Sequence, residues 1–189
     1  MFGKILATTA LVGSAGAILI VSALALFTDT ASVTNNTFAT GSVDISTSPT
    51  TALVSFSGMA PGDQVTAPVT VSNAGSLQLR YAVTSTTTEN TLAGELDLTV
   101  KTGVTTCTNG GFGTDGTVIY NSLLGTTGGT NIVGDPAQGS QAGDRTLNAS
   151  ANEILCFNVT LPTSATNAAQ SLSTTATFAF EAEQTSSNP

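Results

Sequence analysis

From residue 40 onward the apolar side chains recur at every second position, in short runs separated by turn-forming residues. Residues 41–46 place Val43 and Ile45 on one face, and residues 51–57 do the same with Val54 and Phe56. Residues 64–72 carry Val65, Ala67, Val69 and Val71 at that period. Leu77, Leu79, Tyr81 and Val83 follow, alternating with mostly polar positions that the pattern turns outward. Leu96, Leu98 and Val100 form another run, and residues 153–161 put Leu155, Phe157, Val159 and Leu161 on their stronger face. Residues 171–182 close the series with Leu172, Ala176, Phe178 and Phe180. A period of two is what a pleated strand with one buried face requires.

The segments between the runs read as turns. In Met59-Ala60-Pro61-Gly62-Asp63, proline presets φ and glycine accepts a positive φ, and Asn73-Ala74-Gly75-Ser76 is a second turn. Pro68 donates no ladder hydrogen bond, which predicts an edge or a bulge in its strand. Residues 102–116 are glycine-rich and loop-like, residues 118–124 fit a strand or a short helical turn, and residues 125–143 predict a long surface excursion. Seven or more short strands with regular turn signals, and no amphipathic helix, predict an all-β fold: a single β-sandwich, immunoglobulin-like or jelly-roll-like.

The first residues have a different pattern. Lys4 is followed by an uncharged apolar stretch, and Ala23-Leu24-Ala25 offers small residues where a signal peptidase probes. This divides the chain into a signal peptide with a hydrophobic helix (1–25), an extended N-terminal segment (26–40) and the sandwich (41–189). Cleavage after Ala25 frees Leu26. The competing reading is a retained anchor, since residues 5–27 carry no charge over 23 positions, enough to span a bilayer as a helix. Both readings place the sandwich outside the cell. Within the extended segment Phe27, Ala31 and Val33 share one side.

Charge narrows the partners. Only 8% of the chain is charged and the net charge is −8, becoming −9 if Lys4 leaves with the leader. Arg80, Lys101 and Arg145 are then the remaining cations, too few to displace counterions from a nucleic acid. Cys107 and Cys156 stand 49 positions apart, and in an exported chain they read as one disulfide rather than two buried thiols. Closing such a loop contributes about 4 kcal/mol in the chain-entropy model.

Catalytic chemistry is hard to assemble from this composition. There is no histidine, which removes the usual general base, the Ser-His and Cys-His nucleophile pairs and most zinc or copper sites. No nucleophile elbow or phosphate-cradling loop occurs. Glu181 with Glu183, and Glu95 with Asp97, are spaced as solvated strand faces. Asp115, Asp135 and Asp144 in glycine-rich loops serve turns better than a calcium ion needing six to eight oxygens. The expectation is a protein with no catalytic residues, no cofactor and no metal. Asn35, Asn148 and Asn158 each begin an Asn-x-Ser/Thr sequon.

The junction Ala25-Leu26-Phe27-Thr28-Asp29-Thr30, then Asn36-Thr37-Phe38-Ala39-Thr40-Gly41-Ser42-Val43-Asp44-Ile45, resembles the mature start of the TasA/camelysin family. Pro61-Gly62-Asp63 before a Val/Thr-rich strand ending in Asn73-Ala74-Gly75-Ser76 is similar to the family's next landmark. Phe178-Ala179-Phe180-Glu181-Ala182-Glu183-Gln184-Thr185 resembles its last strand. The resemblance covers both ends and the first third of the chain. It implies a secreted subunit of biofilm fibres, released by a dedicated signal peptidase and touching the membrane only through its leader. It also implies a homopolymer in which Leu26, Phe27, Ala31 and Val33 form a donor strand that completes a neighbour's sheet. The camelysin branch is associated with protease activity, for which the residues here offer no metal site. The alternative is a monomeric secreted or membrane-anchored adhesion module whose N-terminal segment pairs within its own sheet.

Overall fold

The computed structural model describes residues 39–50, 58–186 and 188. The residues from Thr40 onward form one compact unit. Its strands are β1 (Ile45–Ser48), β2 (Gln64–Asn73), β3 (Leu79–Thr87), β4 (Asp97–Thr102), β5 (Thr117–Leu123), β6 (Thr130–Val133), β7 (Arg145–Leu147), β8 (Asn152–Thr160) and β9 (Ala176–Gln184), with one 3-10 turn at Asn167–Ala169. The chain is therefore all-β, two antiparallel sheets making a sandwich. The signal helix and the run expected at 51–57 lie outside the described residues.

The first sheet runs β1-β2-β8-β4-β5. In the second, β3 is central. β9 pairs with it along Leu79–Thr87, while β6 and β7 share its other edge, β7 against Leu79–Tyr81 and β6 against Val83–Ser85. The period-two positions form the core between the sheets: Val69, Val71, Leu98, Val100, Leu155 and Phe157 from the first, and Leu79, Tyr81 and Val83 from the second, all buried. Each such side chain contributes about 1.5–3 kcal/mol when fully withdrawn from water. Pro68 falls where β2 has only β8 beside it among the described residues, because β1 pairs with Thr70–Asn73. The turn before β2 forms with Gly62 at φ +99° and Asp63 N–H donating to Ala60 O at 2.9 Å.

Of the two readings of 118–124, the strand holds, as β5 over Thr117–Leu123. Several expectations need correction. The strand expected from residue 41 begins at Ile45; Ser42 O instead accepts the N–H groups of Ser76 and Leu77. The final strand begins at Ala176, leaving Leu172 44% exposed before it. The outward positions in the first half of β3 are not solvated, since Arg80 is 7% and Ala82 3% exposed, whereas Thr86 farther along is exposed. The reason lies in 125–143, which is no simple surface excursion: it contributes β6, with Ile132 and Val133 buried, and then folds back over the outer face of β3.

Candidate assembly edge

The two lateral sides of the sandwich differ. On one side the chain crosses between sheets from β5 to β6, and the crossing is tied down. Leu124 N–H donates to Leu96 O, Ser85 Oγ donates to Leu124 O at 2.6 Å, and Thr87 N–H donates to Thr126 O. Gly125 is required there, because a Cβ would fall 2.8 Å from Ser85 Oγ. Leu124 is buried beneath this crossing.

On the other side stands β9. Among the described residues it pairs only with β3, and its outer edge has no strand partner among them over nine residues. Its inward side chains, Ala176, Phe178, Phe180 and Ala182, are only half-buried. Phe178 reaches Phe157 with ring centroids 5.0 Å apart, and Phe180 reaches Tyr81 at 6.3 Å. Ile45, Met59 and Val65 on the first sheet's side are likewise half-covered. An unpaired strand edge beside an incompletely covered apolar face is a template for an added strand. Covering the remaining surface of each phenylalanine is worth about 1 kcal/mol.

Each sheet also carries a flap on its outer face. Residues 103–116 lie over the first sheet, held by the Cys107–Cys156 disulfide with Cα atoms 5.6 Å apart. Lys101 sits 4.5 Å above the Phe112 ring and donates to Phe112 O and Asp115 O, and Asn109 Nδ2 donates to Gln64 O. Residues 134–144 lie over the second sheet. Arg80 Nε meets Glu183 Oε1 at 2.7 Å, and the same oxygen accepts the buried Gly139 N–H of the flap. Asp144 accepts the N–H groups of Asp135 and Gln141, and Asp115 accepts that of Thr105. The acidic loop residues thus close turns. Glu183 is bound to Arg80 and Glu95 accepts from Thr166 Oγ1, so neither carboxylate pair converges on a reacting site.

Leu26, Phe27, Ala31, Val33 and Asn35 lie outside the described residues. Asn148 is exposed and its Oδ1 accepts from Gln78 Nε2 at 2.7 Å. Asn158 is 5% exposed and its Nδ2 donates to Gln64 Oε1 and Thr66 Oγ1.

Two polar centres were not legible in the residue pattern. Asn73 is buried at the end of β2, where its Nδ2 donates to Leu77 O, Leu147 O and Asn148 O while its Oδ1 accepts from Gly75 N–H. Glu153 on β8 accepts from Arg145 Nε on both oxygens, from Arg145 Nη2, and from the Tyr81 hydroxyl at 2.7 Å, joining the sheets. Burial, and then the Glu153 carboxylate, push the Tyr81 hydroxyl far above its ordinary range, and the Glu153 bond raises Arg145. A lone Asn at a strand end gives no sequence signal for this role, and Glu153 shares the inward phase of Leu155 and Phe157, where it is the one charged departure from the apolar pattern.

A family model described as Camelysin metallo-endopeptidase matches residues 2–188. No curated protein matches the chain. The metal that this description implies does not fit the residues present. The chain has no histidine, both cysteines are in the disulfide, and no three His, Cys, Asp or Glu groups gather as ligands among the described residues.

Proposed function

The chain belongs to the camelysin family, and on that premise we propose that it is a structural subunit of an extracellular fibre, assembled head to tail by strand donation. The observation that carries this reading is the β9 edge, unpaired among the described residues, with Phe178 and Phe180 half-covered beside it. The donor is the segment freed by leader removal, with Phe27, Ala31 and Val33 entering alternate positions and Leu26 as its first residue. Main-chain bonds supply affinity and alternate side chains supply register. Donor and acceptor are different surfaces, so the contact does not close on itself and propagates as a filament. Until the leader is removed, the donor stays tethered to the membrane. The role is structural, in the secreted matrix or at the cell surface.

One observation favours the monomeric module instead. Ser42 is tied to Ser76 and Leu77, and Thr185 N–H donates to Gln78 O, so the chain enters the domain at the end where β9 finishes. A short upstream segment is therefore within reach of its own β9. Leading into Thr40 from the far end, it would run parallel to β9, the less stable pairing. A neighbour's segment is free to run antiparallel.

Electron microscopy of mature protein with and without residues 26–33 tests the proposal. Filaments from the full mature chain, and folded monomers from the truncated one, are expected. Filaments from the truncated protein would sink strand donation. Monodisperse full-length protein with the Phe27 amide protected at high dilution would establish the self-complemented module.

A further inference from the structure

We propose that Asn148 carries an N-linked glycan and that Asn158 does not. The sequon Asn148-Ala149-Ser150 forms the turn between β7 and β8, and all three residues are exposed. The turn is held from beneath, since Asn148 O accepts both Ala151 N–H and Asn73 Nδ2 at 3.1 Å. Gln78 Nε2 donates to Asn148 Oδ1, which fixes the amide by its oxygen and leaves Nδ2 for the solvent side. Asn158 has the opposite arrangement. Its Nδ2 is spent on Gln64 and Thr66, and it is buried on the face that the disulfide-held flap covers. A sugar on that nitrogen would break both bonds and displace the flap.

Position agrees with the chemistry. β7 and β9 lie on opposite edges of β3, so Asn148 stands across β3 from the outer edge of β9, with Gln78 between it and Thr185. A bulky, hydrated group there adds solubility to a surface with few charges while leaving that edge free. The acceptor is Asn148 Nδ2 and the donor is a lipid-phosphate-linked oligosaccharide met at the outer membrane face. The Nδ2–anomeric carbon bond forms as that carbon's bond to phosphate breaks. The amide proton leaves to a base of the transferring enzyme, and the lipid phosphate departs.

The test is the intact mass and peptide map of the protein secreted by its producing cells. The expected result is a mass excess of whole sugar residues on the Asn148 peptide and none on the Asn158 peptide. Asn148→Gln keeps the carbonyl that accepts from Gln78, and Ser150→Gly suits a residue at φ +60° while removing the hydroxyl. Both variants are expected to fold and lose the excess. An unmodified Asn148 peptide, or an excess that persists in both variants, overturns the proposal.

Discussion

The two flaps cover their sheets by opposite means. The flap of residues 103–116 is clipped covalently, Cys107 to Cys156, with a single cation over an aromatic ring beside the bridge. The flap of residues 134–144 has no covalent tie; the Arg80–Glu183 ion pair beneath it and the Gly139 N–H bond to Glu183 hold it. The first flap should ignore pH and salt but respond to reductant. The second should ignore reductant. Charge is scarce in this chain, and two of its few cations, Lys101 and Arg80, stand beneath these flaps.

Breaking the covalent flap has the largest expected effect. Replacing Cys107 and Cys156 together with alanine removes a constraint worth about 4 kcal/mol in the chain-entropy model. Thermal unfolding should show a Tm lowered by roughly ten degrees, and reductant should then have no further effect on the variant. Next comes Arg80→Met, which removes the buried cation and leaves the half-buried Glu183 carboxylate to Gly139 N–H and Asn188. A loss of about 2 kcal/mol in unfolding free energy, seen as a lowered denaturant midpoint, is expected, with reductant sensitivity unchanged. A variant as stable as the parent would show that the flap rests on its turns alone.

A smaller effect sharpens the contrast. Lys101→Met keeps the stem that packs near Phe112 but removes the charge, and should cost about 1 kcal/mol. The smallest is seen only in alkali. Tyr81 has a folded-state pKa above its unfolded value of about 10. The stability it contributes is therefore complete below pH 10 and declines as pH rises beyond it, because only the unfolded chain releases that proton. Tyr81→Phe should flatten this alkaline decline while costing about 1 kcal/mol at neutral pH. An equally steep decline in the variant would place its origin elsewhere.

Much of the sandwich was readable from local pattern. Val69, Val71, Leu79, Tyr81, Val83, Leu98, Val100, Leu155 and Phe157 are inward because alternation puts them there, and the structure buries all nine. Arg80 and Ala82 show where the rule stops. Period two says which side of a strand is apolar, but nothing about what another segment later lays over its polar side. Sequence alone reads 134–144 as a loop, and only its contact with β3 makes Arg80 a buried ion-pair partner. Asn158, also at an outward position, is buried with its Nδ2 bonded to Gln64 and Thr66 of β2, a neighbour that no local run announces.

The chain by itself determined its class. Alternation, threonine content, the absence of histidine and the separation of two cysteines are local or compositional facts, and each constrains physics without reference to distant residues. Tertiary structure alone decided the order β1-β2-β8-β4-β5, the stitched side opposite a β9 whose outer edge is unpaired among the described residues, and the burial of Arg80 and Asn158. Those features depend on which strands, far apart in sequence, become neighbours. Strand partners are chosen by the closing of the whole core, so no single run of residues carries that information.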